Sequence, residues 1–187
     1  AVTPTGVHHA LAVRIGWEGT PAGRDITRPR AGLRALAAVV RATLIAGTAH
    51  RLLELTTRHA NERVQFGKPI GRQQALQQNL AVMAEDAVVA RIAAQLGCAQ
   101  GLDVSPAAAA VAKSTASSVA ARLAGTAHAV HGAIGISEEF DLQLLTRRLH
   151  EWRLADGSEG YWNGVLGAAR LADPAGSVDW IRAEVFA

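Results

Sequence analysis

The sequence predicts an all-α protein, an antiparallel four-helix bundle preceded by a short β segment, and three observations support this fold class. From Gly32 onward the apolar residues recur with helical periodicity, interrupted by short glycine- and proline-containing breaks. Alanine runs dominate and aromatic residues make up only 4% of the chain, which is typical of closely packed helices. Strand-like alternation is confined to residues 1–31. Three long helices and a broken fourth, joined by short loops, favour a bundle.

The segment before Gly32 carries the only strand signal. Its apolar residues alternate with small or polar ones at Leu11, Val13, Ile15 and Trp17. A turn is predicted at 20–23, and Pro29 ends the region. Because one or two strands are not stable alone, we expect residues 1–31 to complete a sheet supplied by other residues or by a partner. His8 and His9 have no further metal-binding side chains nearby and are interpreted as loop residues.

The first three helices have clear predicted boundaries. The first runs from Gly32 to about Arg63, and the second opens near Arg72 and stops by Gly101. The third has Ser105 as its N-cap and Pro106 as its first residue, and Gly132 ends it.

The fourth helix is predicted to begin at Ser137, with acidic residues early and basic residues late, as the helix dipole favours. A break at 156–158 separates it from a last helix that ends at Asp173 and Pro174. The tail that follows includes an apolar pair, Trp180 and Ile181, and no helix is predicted for it.

Composition excludes several classes of function. The net charge is only +3 and basic residues are not clustered with aromatics, so nucleic-acid binding is not expected. Cys98 is the single cysteine, which rules out an intramolecular disulfide and fits a reducing, cytoplasmic environment. We interpret it as a small core residue rather than a nucleophile. We find no signal peptide and no apolar run long enough to span a bilayer, and we predict no metal site.

The stretch from Arg63 to Ile70 has the residues of a nucleotide-binding turn. Arg63 offers a planar fork of donors for a phosphate, and Gln65 adds neutral donors. Phe66 can lie against a flat ring, and Gly67 permits a close backbone approach. The same residues also suit a simple helix end, with a basic side chain near the negative dipole end and a Gly-Lys-Pro stop.

Three further features could act with this stretch. Gln74 opens the second helix with its amide available to the same ligand. The glycine-containing loop 130–135, together with the helix N-terminus that follows, could receive a pyrophosphate, or could simply turn the chain. Asp156, at the helix break, could act as a general base if desolvated, or could cap the last helix, as could Ser158.

In order along the chain, these motifs resemble the C-terminal helical domain of the flavin-dependent acyl-CoA dehydrogenases, over residues 33–172. The matching positions are Arg63, Gln65 to Ile70, Gln74, Leu80-Ala81, Met83-Ala84, Ala112-Lys113, His131-Gly132, Gly135, Arg147 and Asp156-Gly157-Ser158. The resemblance implies that residues 1–31 are the end of a middle β-domain and that residues 32–187 are the C-terminal bundle domain. The family's N-terminal helices and most of its β-barrel would lie outside this chain.

The resemblance also implies a reaction and a cofactor. In this family a carboxylate removes the α-proton of an acyl-CoA thioester while a hydride passes from the β-carbon to FAD. The FAD would be bound mainly by a neighbouring subunit, with Arg63, Gln65, Phe66 and Gln74 gripping it from this one. The remaining FAD contacts implied are Ala129, Val130, Gly132 and Ala133, beside the pyrophosphate, and the hydroxyl of Ser158.

Departures from the family pattern concern the catalytic base above all. Most members have a glutamate where this chain has Asp156, which is one methylene shorter, and a displacement of about 1 Å can cost about a hundredfold in rate. Other members carry the base on the first long helix, at a position that falls on Ala37. Ala129 and Ala133 replace the family's usual glutamine and glycine.

Three hypotheses of function follow. The favoured one is a subunit without its own base that completes the FAD pocket of a homologous catalytic subunit, in an α2β2 assembly like those of actinobacterial steroid-degrading acyl-CoA dehydrogenases. The second is an active homo-oligomeric dehydrogenase that uses Asp156 as base. The third is a flavin-free structural scaffold, which the retention of Arg63, Gln65, Phe66 and Gln74 disfavours.

Overall fold

The computed structural model describes residues 1–4, 13–20, 22–24 and 28–186, and the fold class is the one predicted, all-α with a small β segment. The six α-helices in this part of the chain are α1 (Gly32–Glu62), α2 (Gln74–Cys98), α3 (Pro106–His131), α4 (Leu142–Leu154), α5 (Glu159–Ala172) and α6 (Ser177–Glu184). The four short strands are β1 (Val2–Pro4), β2 (Val13–Ile15), β3 (Val64–Gln65) and β4 (Lys68–Pro69).

The N-terminal strands form an isolated two-stranded ribbon. β1 pairs antiparallel with β2, with Val2 opposite Ile15. The strand signal is therefore confirmed at Val13 and Ile15, whereas Trp17 lies beyond the strand, and Leu11, His8 and His9 lie outside the described residues. Val13 and Ile15 are about half exposed, so the described part of this ribbon does not bury them in a core.

The bundle core is made mainly of alanine. α1, α2 and α3 pack against one another, α4 packs against α1 and α3, and α5 packs against α3. The fourth position of the bundle is thus shared by α4 and α5, on either side of the predicted break. The larger buried side chains of the main cluster are few and are spread over four helices: Ile45, Leu52, Met83, Leu123, Leu142 and Leu149.

Small residues set how closely α2 and α3 approach. A Cβ atom added at Gly97 of α2 would lie only 2.7 Å from the Cβ of Ala112 on α3, and 3.2 Å from a methyl group of Val39 on α1. Such a distance is well inside van der Waals contact, so Gly97 is required by packing at the meeting point of three helices.

Several helix boundaries confirm the sequence signals. α1 ends one residue before Arg63, and α2 is preceded by a 3₁₀ turn at Ile70–Arg72. The Ser105 hydroxyl accepts a hydrogen bond from the Ala108 N–H at 3.0 Å, with Pro106 as the first residue of α3. Gly132 follows α3 with φ of 62°, a conformation that favours glycine.

Two helix predictions were wrong. α4 begins at Leu142 and not at Ser137, because residues 132–136 form a 3₁₀ turn and the acidic residues lie in a separate turn. That turn lets Phe140 pack against the main core cluster. The tail forms α6, since Trp180 is buried against Ala107 of α3.

One further expectation, that for Cys98, needs correction. Cys98 is exposed at the end of α2 and is not a core residue; its sulfur lies 3.4 Å from the hydroxyl of Thr43. Among the described residues, α1 has a length and a mean hydropathy, 1.3 over its most apolar window, that would suffice for a membrane span by composition alone. α1 packs against three other helices of the bundle, and a core helix passes the same test.

Candidate functional site

The stretch that follows α1 forms a tight hairpin. β3 pairs antiparallel with β4, and the two residues between them, Phe66 and Gly67, both have positive φ, 53° and 78°. This is the backbone pattern of a two-residue type I′ turn. Phe66, at the tip, is 93% exposed. The Ile70 N–H donates to the Arg63 carbonyl at 2.8 Å, which closes the hairpin against the end of α1.

The glycine-containing loop lies where α3 ends. Gly132–Ile136 forms a 3₁₀ turn, and the Gly132 N–H donates to the carbonyl of His128. Gly135 is buried, and a Cβ there would lie 2.9 Å from the His131 Cβ and 3.0 Å from Leu142. A side chain at position 135 would therefore push this turn away from α4.

The hairpin and this loop line one cavity of about 500 Å³, within the range of about 300–1,000 Å³ that is typical of ligand sites. Six residues predicted to contact a cofactor line it: Arg63, Gln65, Ala129, Val130, Gly132 and Ala133. The structure thus brings together two segments that are more than sixty positions apart in the sequence. The Arg63 guanidinium and the Gln65 side-chain amide give this cavity hydrogen-bond donors that suit a phosphorylated ligand.

Three predicted contact residues lie elsewhere. Phe66 and Gln74 are exposed beside the cavity but do not line it. Ser158 is the N-cap of α5, where its hydroxyl accepts a hydrogen bond from the Tyr161 N–H at 3.4 Å. The capping interpretation of Ser158 is therefore confirmed.

Sequence reasoning missed His59 and Gln73, which also line the cavity, and it noted His131 only within the loop and the family motif. The signal available for His59 was its position four residues before Arg63, on the same face of a helix. Gln73 comes immediately before Gln74, and His131 is the last residue of α3. Neither His59 nor Gln73 forms a motif that would single it out without the structure.

His59 and His131 stack on each other, with ring centroids 4.4 Å apart and planes at 23°. The His131 Nδ1 lies 2.8 Å from the Ala127 carbonyl; since a carbonyl only accepts, Nδ1 carries the hydrogen. Burial is the largest cause that lowers the pKa of His131, opposed by that hydrogen bond. Burial, followed by the charge of Arg63, lowers the pKa of His59. Both rings are thereby biased towards the neutral form.

The α4–α5 junction contains the other predicted functional residue, Asp156. Its carboxylate accepts from the Arg41 Nε at 3.0 Å, and its carbonyl accepts from the Trp162 indole N–H at 3.2 Å. Asp156 has φ of 59°, a conformation that few residues other than glycine adopt. Ala37, the alternative base position, is one helical turn before Arg41 on α1 and offers no ionisable group.

Lys113 organises this junction from α3. It is fully buried, and its ammonium group donates to the Ser117 hydroxyl at 2.9 Å and to the Arg153 and Gly157 carbonyls at 2.8 Å each. All three of its N–H donors are satisfied. Burial lowers the pKa of Lys113 to about 8, while the nearby carboxylates of Asp156 and Glu159 oppose the shift.

A second ion pair closes the junction. The Arg153 Nε donates to Glu159 at 3.0 Å, and the two side chains form a bidentate pair between the end of α4 and the start of α5. The hydrogen bond from Arg153 is the largest cause that lowers the pKa of Glu159. The charged groups of the junction are therefore paired within the chain.

Comparisons with known proteins identify a family for this sequence and related structures for this fold. The family model described as "Acyl-CoA dehydrogenase, C-terminal domain" matches residues 34–169. The chain is 35% identical over 122 residues to acyl-CoA dehydrogenase IpdE2 of Mycobacterium tuberculosis, which covers 65% of this chain.

Two solved structures show the same architecture. The ChsE4-ChsE5 complex of Mycobacterium tuberculosis superposes with a TM-score of 0.71 and 26% identity over 76% of this chain. The steroid ACAD Tcur3481-Tcur3483, in a variant form, superposes with a TM-score of 0.69 and 26% identity over 74% of this chain. The chain spans 37% of the length of IpdE2 and 40% of each matched structure.

Proposed function

Because the chain belongs to the acyl-CoA dehydrogenase family through its C-terminal domain, we propose that it is a subunit of an FAD-dependent acyl-CoA dehydrogenase that completes the FAD pocket of a catalytic partner subunit. The proposed assembly is an α2β2 heterotetramer in the cytoplasm, and its reaction is α,β-dehydrogenation of an acyl-CoA thioester. FAD supplies the hydride acceptor when bound. Residues 1–31 are assigned to the end of a middle β-domain and residues 32–187 to the C-terminal bundle domain.

The groups at the cavity fit the phosphate-containing part of FAD. The Arg63 side chain can give two parallel hydrogen bonds to a phosphate, and Gln65 beside it adds neutral donors. Gly132, which has no Cβ, leaves room for a ligand to approach the backbone of this loop closely. Phe66, exposed at the hairpin tip, presents a ring face to whatever covers this surface.

The observation that carries the proposal is the contrast between this cavity and the two base positions. The cavity retains a guanidinium, two amides and an open volume. Asp156, by contrast, is already engaged within the chain by Arg41, at 3.0 Å. Ala37 cannot take a proton. This combination suits a subunit that binds cofactor without performing proton abstraction itself.

The relatives support a heteromeric assembly and a steroid-type substrate. One matched structure is a complex of two different chains, ChsE4 and ChsE5, and another is described as a steroid ACAD. We infer from them that a homologous partner subunit carries the catalytic base. We also infer that the substrate is an acyl-CoA of steroid type.

A second candidate function is supported by the backbone of Asp156. A non-glycine residue in the left-handed region at a helix break is a feature that clusters at functional sites. In that case the chain would form an active homo-oligomer, and substrate binding would have to displace Arg41 from Asp156 before the carboxylate could accept the α-proton.

Flavin content and turnover distinguish the two candidates. The chain is purified alone and after co-expression with a homologous dehydrogenase subunit that has an intact glutamate, and flavin absorbance and assembly mass are measured for each. We expect stoichiometric flavin only in the mixed assembly, and turnover within about twofold of wild type in its Asp156→Asn variant. Flavin in the chain alone, with turnover lost in Asp156→Asn, would establish the homo-oligomer instead.

A further inference from the structure

His59 lies beside Arg63 at the wall of the cavity. The two residues are one helical turn apart, and the Arg63 N–H donates to the His59 carbonyl at 2.9 Å. Both side chains line the cavity. Because residues at i and i+4 point in the same direction from a helix, the imidazole of His59 and the guanidinium of Arg63 share one wall.

The stack on His131 fixes the orientation of His59. His131 is 5% exposed, is held through Nδ1 by the Ala127 carbonyl, and is tilted against Phe140 at 5.2 Å between ring centroids. The imidazole of His59 lies over this fixed ring. The stack also bridges the end of α1 and the end of α3, the two segments that carry the cavity's other polar groups.

Of the two rings, His59 is the better proton acceptor. The His131 Nε2 is buried and has no hydrogen-bond partner in the described part of the chain. Protonating it would place a second N–H donor in a site without an acceptor, which is costly. His59 is only half-buried, so a charged imidazolium there can face the cavity.

We propose that His59, when its imidazole is protonated, is a second cationic contact for the diphosphate of the bound cofactor, beside Arg63. The stack on His131 orients the imidazole for this contact. The proposal rests on the proposed function, since it takes FAD as the ligand of this cavity. In the free protein, burial is the largest cause that lowers the pKa of His59, followed by the charge of Arg63, with Glu62 opposing them. His131, the stacking partner of His59, is itself disfavoured as a charged group, in part by the nearby His128 on α3.

A bound diphosphate would reverse this balance. Its negative charges favour the imidazolium and raise the pKa of His59 above its value in the free protein. Binding is therefore accompanied by proton uptake at any pH between the free-state and bound-state pKa values of His59. Affinity is highest below the free-state pKa, where His59 is already charged, and declines as pH rises towards the bound-state pKa.

The test is the pH dependence of FAD binding, measured by titration calorimetry on the flavin-depleted assembly between about pH 5.5 and pH 8. Each phosphate of the FAD diphosphate has a single, strongly acidic ionisable group, so the charge of the diphosphate is constant over this range. Repeating each titration in buffers of different ionisation enthalpy gives the number of protons taken up. For a shift of about one pKa unit, the Kd should rise about tenfold across the range, with uptake reaching about half a proton per site midway between the two pKa values.

His59→Phe keeps an aromatic ring for the stack but removes the titrating group. In this variant FAD should bind with a Kd that is independent of pH and without proton uptake. His150→Phe, the same substitution at an exposed position of α4, should behave as wild type. His59→Gln, which also cannot titrate here, replaces His59→Phe if that variant fails to assemble.

The outcomes separate this inference from the proposed function. FAD binding with undiminished proton uptake in His59→Phe, or loss of uptake in His150→Phe, would overturn the role of His59 and leave the proposed function intact. No FAD binding by the wild-type assembly at any pH would overturn both.

Discussion

The cavity between the ends of α1 and α3 and the junction between α4 and α5 both contain charged side chains beside a left-handed turn, but they use those charges differently. At the junction, Lys113 has three acceptors, and Asp156 and Glu159 each have an arginine. At the cavity, Arg63 and Gln65 are exposed and face an open volume. Hydrogen-bonding groups that are satisfied internally stabilise the fold, whereas groups left facing a cavity are available to a ligand.

Removing Lys113 should give the largest effect, because it tests whether the junction is structural. Lys113→Met keeps the side-chain volume but removes the ammonium donor from the Arg153 and Gly157 carbonyls, and the Arg153 carbonyl keeps the Ser117 hydroxyl, at 3.3 Å, as a second donor. We expect a loss of about 2–4 kcal/mol in the free energy of unfolding, measured with urea.

The matched control is Lys68→Met, the same substitution at an exposed position of the hairpin, which should cost less than about 0.5 kcal/mol. Equal, small losses of unfolding free energy at both lysines would mean that the junction keeps its shape without the ammonium group. The contrast between a structural junction and a ligand-binding cavity would then be contradicted for the junction.

At the cavity, Arg63→Gln should have the opposite signature. The variant removes a charge-assisted contact to phosphate, so the Kd for FAD should rise about 10–100-fold. The free energy of unfolding should change by less than about 0.5 kcal/mol, because the side chain is exposed.

Arg58→Gln, an exposed arginine earlier on α1, is the control and should leave FAD binding unchanged. If Arg63→Gln destabilised the chain without weakening FAD binding, Arg63 would belong with the structural residues of the junction.

A smaller effect is expected for Glu159→Gln, which sharpens the comparison through pH. Arg153 lowers the pKa of Glu159 from the usual 4.5, so the carboxylate stabilises the fold above the unfolded-state pKa. This stabilisation is lost as pH falls through the lower folded-state pKa.

The variant should lose about 1 kcal/mol at pH 7, and the difference from wild type in urea unfolding should shrink below about pH 4.5. A difference that stays constant down to acid pH would show that the ion pair is not its source.

Local signals in the sequence predicted the bundle well. Ser105, Pro106 and Gly132 mark the ends of α3 because each acts on its own backbone or that of close neighbours. The predicted start of α4 was wrong. Phe140 packs against the main core cluster, and this packing, rather than the run of acidic residues, determines where the helix begins.

Residues whose partners are remote could not be predicted in the same way. Lys113 stood out only as part of a family motif, since the carbonyls that it contacts are 40 and 44 positions away. His59 and His131 meet only when α1 and α3 pack. Cys98 follows a helical pattern, yet it falls at the exposed end of its helix.

The close approach at Gly97 has a consequence for how this sequence can vary. A core filled with alanine has little side-chain volume to lose, so truncating substitutions are scarce among its possible single changes. Enlargement is the more damaging direction, because a methyl group at Gly97 would already collide with Ala112 and Val39. Among homologues, substitutions at these helix contacts should be confined to glycine, alanine and serine, while exposed polar positions vary freely.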